Sequence, residues 1–138
     1  MVTYDKKNAE HTLEFLLDFN GRIHCYEKGY WVKFEITQGD KSELRPHGLN
    51  YSFTLHDPSN QRLIGFDNAH AVPEKGSNYK ARSKAIDHWH RTEKDKGRPY
   101  EFKNAETLID DFFNEVERVL AEHGISLETI ETKEGNRP

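Results

Sequence analysis

The chain is poor in the residues that cross-link a fold or anchor it in a membrane. Its 138 residues include one cysteine, Cys25, one methionine and five prolines. A single thiol excludes an intramolecular disulfide and suits a reducing compartment. Cys25 lies in an alternating segment and is expected to be a small, buried or half-buried residue. No apolar run approaches the roughly 20 residues that a membrane-spanning helix needs. The first residues, Met1 to Lys7, lack the apolar core of a signal peptide. A cytoplasmic location is therefore the expectation. Aliphatic residues are also scarce: mean hydropathy is −0.96, and charged residues make up 32% of the chain. Eight Phe, six Tyr and two Trp remain to build a core, so that core must be largely aromatic. The length suits one domain, set at 1–125, with a polar and flexible tail over 126–138.

The net charge of −4 is modest, but its placement is uneven. From Pro73 to Lys103 there are nine Lys or Arg against five Asp or Glu; from Asn104 to His123 there is one Arg against six acids. The pattern fits a polyanion-binding stretch followed by an acidic face for a partner, and equally two solvated surfaces.

Hydrophobic spacing supplies the fold class. Leu13, Phe15, Leu17 and Phe19 alternate with Glu14, Leu16 and Asp18, the period of a strand. Asn20-Gly21 is a tight-turn signal, and Arg22 to Glu27 reads as a second strand. Tyr30, Val32, Phe34 and Ile36 form the clearest alternation. Tyr51, Phe53 and Leu55 give a fourth strand, Asp57-Pro58-Ser59-Asn60 a turn, and Arg62 to Asp67 a fifth strand. Pro73 to Pro99 has little periodicity and reads mostly as a basic loop, with short strands at Asp87–Arg91 and Tyr100–Phe102. Leu108, Ile109, Phe112, Phe113, Val116, Val119 and Leu120 then fall on one face of a helix. Asn104 or Thr107 caps it and Gly124 ends it. The expected fold is α+β: an antiparallel meander of five to seven strands with a C-terminal helix packed on one face.

Two segments concentrate chemistry-bearing side chains. "GFDNAHAV" carries Asp67 and His70, and "DHWHR" carries Asp87, His88, His90 and Arg91. On a strand, His88 and His90 share one side. If the two segments are neighbours, Asp67 or His70 approaches these imidazoles on the side of the sheet the helix leaves uncovered. Three readings follow. In an acid/base site, His88, His90 and His70 divide general-base and general-acid roles, Asp67 orients an imidazole, and Arg91 stabilises charge on a phosphate. This suits metal-independent RNA cleavage with no cofactor. Lys80, Arg82, Lys84 and Arg98 would hold the backbone, Trp89 would stack on a base, and His47 and His56 are further substrate-binding candidates. In a metal site, His88 and His90 with His70 or Asp67 hold a divalent ion. In the third reading these are structural polar groups, as His11, His24 and His123 are taken to be.

"RPHGLNYSFTLHD", "RLIGFDNAHAV", "DHWHR" and "YEF…AETLIDDFFNEVERVL", in this order, resemble the TumE family of small bacterial toxin–antitoxin proteins. The resemblance runs from about Phe15 to His123. It implies a cytoplasmic toxin encoded beside a helix-turn-helix-type antitoxin that binds and neutralises it. The matching positions include Pro46, His47 and Gly48; His56 and Asp57; Phe66 to His70; and Asp87, His88, His90 and Arg91. The alternative is a non-catalytic module that binds a protein on the acidic helix face or nucleic acid on the basic stretch.

Overall fold

The computed structural model describes residues 13–43, 46–68 and 87–134. Among the described residues seven strands form one antiparallel sheet: β1 (Arg22–Cys25), β2 (Trp31–Gln38), β3 (Leu49–His56), β4 (Arg62–Asp67), β5 (His88–His90), β6 (Arg98–Pro99) and β7 (Glu131–Glu134). Their spatial order is β6-β5-β4-β3-β2-β1-β7. The first six follow the chain as a meander, and β7 returns to pair with β1. A helix of 18 residues, Ala105–Glu122, packs on one face. With residues 13–17 helical as α1, this helix is α2. The α+β class and the helix-on-sheet arrangement are those expected from the sequence.

The aromatic core assembles where the alternation of β2, β3 and β4 meets the apolar stripe of α2. Phe34, Phe53 and Phe66 are successive cross-strand partners and therefore share one side of the sheet. Phe112 of α2 lies over all three, at ring-centroid distances of 5.7, 5.5 and 5.8 Å. The helix begins as its sequence predicts: the Asn104 side chain accepts a hydrogen bond from the Thr107 amide at 2.7 Å. It ends at His123, followed by Gly124 at φ +70°, a conformation that glycine adopts without strain.

Two sequence expectations are corrected. Residues 13–17 are helical, not a strand. The segment satisfies both periods, but Leu16 is buried and Phe15 is 57% exposed, so the i, i+3, i+4 pattern of Leu13, Leu16 and Leu17 prevails over the alternation. Asn20-Gly21 does turn the chain, but from helix to strand. Tyr100–Phe102 is not a strand; β6 is the preceding pair Arg98–Pro99, and the Tyr100 amide donates to the Asp87 carbonyl at 2.8 Å. Within the segment expected as a tail, Glu131–Glu134 is edge strand β7.

Asn68 extends the sheet beyond β4. Its amide Nδ2 donates to the Leu49 carbonyl at 2.7 Å, its Oδ1 accepts from the Tyr51 amide at 3.0 Å, and its own backbone N–H donates to the Tyr51 carbonyl at 3.2 Å. The side chain thus takes the place of a strand's backbone groups at a fully buried position. Alanine at Asn68 strands a buried carbonyl and a buried amide, each costing about 1–3 kcal/mol. Urea denaturation of Asn68→Ala is expected to show a loss in that range, and an unchanged midpoint would refute this role.

Candidate functional site

β4 and β5 pair with Gly65 opposite His90, Phe66 opposite Trp89 and Asp67 opposite His88. Alternation sends Phe66 and Trp89 toward α2, and their rings stack at 5.4 Å. Asp67, His88 and His90 therefore lie on the far face, the side of the sheet turned away from α2. All three are buried, His88 completely. His88 Nε2 stands 3.1 Å from Asp67 Oδ1, and His90 Nε2 stands 3.9 Å from Asp67 Oδ2. The two imidazole centroids are 5.1 Å apart. One carboxylate reaches two rings, so the juxtaposition anticipated between the segment of Asp67 and that of His88 and His90 is present.

The turn after β5 sets the tautomer of His90. Its Nδ1 lies 2.8 Å from the Asp95 carbonyl. A carbonyl only accepts, so Nδ1 carries the hydrogen and a neutral ring presents the Nε2 lone pair toward Asp67. The carboxylate of Asp95 builds that turn by accepting from the amides of Arg91 and Gly97 and from Arg98 Nε. Burial pushes the Asp95 carboxyl up, but the Gly97 and Arg91 amides and the Arg98 guanidinium outweigh it and hold the group at about 2. Asp95 thus stays charged at any ordinary pH and keeps its carbonyl on His90. Sequence reasoning missed it; an Asp two residues before a Gly in "TEKDKG" was the available turn signal.

A second polar cluster lies beside the α2-covered face. His47 Nδ1 accepts from the Leu49 amide at 3.0 Å, which leaves Nε2–H to donate to Asp87 Oδ2 at 2.9 Å. The same oxygen accepts from the Tyr51 hydroxyl at 2.7 Å. Burial, and then the Asp87 charge, push the Tyr51 hydroxyl far up, so it remains a donor. Phe102 packs against His47 at 4.1 Å between ring centroids. This cluster fixes the residue before β5 and so the position of His88.

The other sequence candidates are dispersed. His56 stacks on Trp31 at 4.1 Å and 12° on the far face, its Nε2 2.9 Å from Thr54 Oγ1. Trp89 belongs to the helix side, with Arg98 5.6 Å above its ring. Arg91 is exposed beyond the end of β5, and its carbonyl accepts from Arg118 of α2 at 3.0 Å. His70, Lys80, Arg82 and Lys84 lie outside the described residues. His24 packs among Phe34 and Phe113, and His123 caps α2 with its Nδ1 3.1 Å from the Tyr30 hydroxyl.

Three imidazoles couple the fold to pH. Burial, followed by the Arg22 charge, holds His24 below its ordinary 6.5. Burial leads at His56 as well, with Arg62 and Lys33 pushing the same way and the Asn60 backbone and Asp57 opposing. At His90 burial again leads; Arg62 and His88 push down while the Asp95 carbonyl and Asp67 push up. A folded value below the unfolded one means that the unfolded chain binds more protons on acidification. The stability these groups contribute is complete above about pH 6.5 and is lost as pH falls through their folded values. Urea midpoints are expected to be level from pH 7 to 8 and to fall steadily from 6.5 to 5. His24→Gln should flatten part of that decline, and a midpoint that rises on acidification would contradict the account.

An antiparallel sheet with α2 packed on one face, and a carboxylate and two imidazoles gathered on the other, defines an α+β protein. The family model for Toxin TumE matches residues 5–120, and the chain belongs to the TumE toxin family. Membership of a toxin family implies a cognate antitoxin. No curated protein and no solved structure matches the chain. Among the described residues no helix is long and apolar enough to cross a membrane.

Proposed function

We propose that the chain is an RNA-cleaving toxin whose reaction centre is Asp67, His88 and His90. The observation that carries this reading is the single Asp67 carboxylate within 3.1 Å of one imidazole and 3.9 Å of the other. His90 Nε2 takes the proton of a ribose 2′-hydroxyl. The 2′-oxygen then forms a bond to the adjacent phosphorus, and the bond from phosphorus to the 5′-oxygen breaks. An imidazolium returns a proton to that departing oxygen, leaving a 2′,3′-cyclic phosphate and a 5′-hydroxyl. His90, having taken the 2′-proton, is that imidazolium, and the Asp67 charge beside it favours the protonated ring. His88, fully buried, acts through Asp67 by holding its carboxylate in place. A helix-turn-helix-type antitoxin encoded beside it would neutralise the protein, and co-purification from co-expressing cells tests that partner. The acidic face of α2 offers less than its composition suggests: Glu115 and Glu122 pair with Arg118 and Asp111 accepts from Tyr100, which leaves Glu106, Asp110 and Glu117 exposed.

A second reading has its own support. One ligand atom each from Asp67, His88 and His90 lies within 4.8 Å of the others. His90 donates Nδ1–H to a backbone carbonyl, the arrangement that orients a metal-ligating histidine. In that reading the three residues hold a divalent ion.

Incubation of single-stranded RNA with the purified protein, with and without EDTA, separates the possibilities. Cleavage that survives EDTA and yields cyclic phosphate ends supports proton transfer. Cleavage abolished by EDTA and restored by zinc supports the ion. A salt-sensitive mobility shift with no cleavage products leaves a non-catalytic binding module and overturns the enzyme reading.

A further inference from the structure

The far face carries a second feature, next to the imidazoles and independent of their protonation. The ladder places Lys33, Thr54, Gly65 and His90 in one row across β2, β3, β4 and β5. Trp31 and His56 pair in a row two residues along, and the β3–β4 ladder shifts register there to set Arg62 opposite His56. Gly65 contributes no side chain at the centre of this patch. A Cβ built on it would lie 3.3 Å from Arg62 Cδ and 3.3 Å from Thr54 Cγ2. The stem of Arg62 therefore crosses the gap above Gly65, between Thr54 on one strand and His90 on the other. Glycine at this position allows that close approach.

Charge in the patch is mostly cationic. Lys33 is 42% exposed and pairs loosely with Glu35 at 3.5 Å. Among the described residues the Arg62 guanidinium makes no ion pair and no side-chain hydrogen bond, although the side chain is only half-buried. An arginine that makes no ion pair keeps its planar set of donors for an anion. The stacked Trp31–His56 pair, with both rings half-buried, stands at the edge of the patch as a platform for a base.

We infer that the far face above Gly65 is a binding site for a phosphodiester group of single-stranded RNA, with Arg62 as its principal cation and Lys33, Thr54 and His90 around it. Arg62, in place of Arg91, then supplies the guanidinium that sequence reasoning assigned to the site. The inference rests on the RNA reading above and deepens it by naming where the backbone is held.

The test uses a short oligoribonucleotide fully substituted with 2′-O-methyl groups, which lacks the attacking hydroxyl and cannot be cut by the proposed route. Its binding is measured by fluorescence anisotropy over a range of salt concentrations. Arg62→Gln is expected to weaken binding about tenfold and to lower the salt slope by about one contact. Arg62→Lys should restore the slope but not the full affinity, because a point charge replaces a fork. Lys33→Gln, on an exposed side chain, should weaken binding about two- to threefold, and keeps the test open if the Arg62 variants melt. Equal affinity and slope in wild type and in every folded variant overturn the site. Binding that depends on Arg62 without cleavage of natural RNA preserves the site and removes the enzyme. Cleavage by Arg62→Gln with wild-type kcat and KM does the reverse.

Discussion

Alanine in place of His90 is expected to lower the rate of RNA cleavage by about two to four orders of magnitude, the usual contribution of a positioned general base. His90 is the imidazole whose Nε2 faces Asp67 while its Nδ1 is committed to the Asp95 carbonyl. Removing the ring removes the proton acceptor and leaves the backbone of β5 in place. Asp67→Asn is the companion variant: it keeps the shape of the side chain and removes the charge that favours an imidazolium. It should lower kcat with little change in KM, and it should shift the acid limb of the pH–rate profile downward, because a protonated ring without its carboxylate loses its proton more readily. Both proteins are to be compared with wild type by single-turnover cleavage, and by growth arrest on expression, after thermal melting has shown that they fold. Wild-type rates in a folded His90→Ala protein would remove this histidine from the chemistry.

Phe112→Ala should produce the largest loss of stability of any single change considered. The ring is completely buried, and it touches Phe34, Phe53, Phe66 and Phe113 at centroid distances of 5.5 to 5.8 Å. These rings belong to three adjacent strands and to the helix itself, so no one neighbour can move to fill the space without pulling away from another. Truncating a buried phenylalanine costs about 3–5 kcal/mol, a large share of the 5–15 kcal/mol that holds a typical domain folded. Urea denaturation followed by tryptophan fluorescence measures it directly. A loss below about 1 kcal/mol would mean that the helix and sheet repack freely, contrary to the rigid aromatic junction described above.

Legibility in the sequence followed how each element is held. β2, β3 and β4 each bury one side against α2, so Val32, Phe34, Ile36, Tyr51, Phe53 and Leu55 display the alternation that burial requires. The helix announced itself through its apolar stripe, the Asn104 cap and Gly124. β7 did not, since Glu-Thr-Lys-Glu is an edge strand held to β1 by backbone pairing, and such a strand needs no apolar pattern. The segment around Leu16 misled because four apolar residues in five positions fit either period.

The same distinction applies to the candidate site. Asp67, His88 and His90 were legible because a strand end and a His-x-His pair fix which way side chains point. Asp95, Asn68 and Arg62 were not. Asp95 acts through its own carbonyl, Asn68 substitutes for backbone, and Arg62 reaches its place through a register shift that no residue spacing reveals. The link between His47, Tyr51 and Asp87 joins residues up to 40 positions apart and depends on the chain's course through three dimensions.

The return of residues 131–134 to the flank of β1 has a consequence for biosynthesis. On the ribosome, the hydrogen-bonding rim of Arg22–Cys25 emerges more than a hundred residues before the segment that shields it. Throughout that interval the nascent sheet exposes a ready template for a second polypeptide. Anything that binds there early, whether a chaperone or another copy of the chain, competes with the molecule's own last strand for the same row of amides and carbonyls.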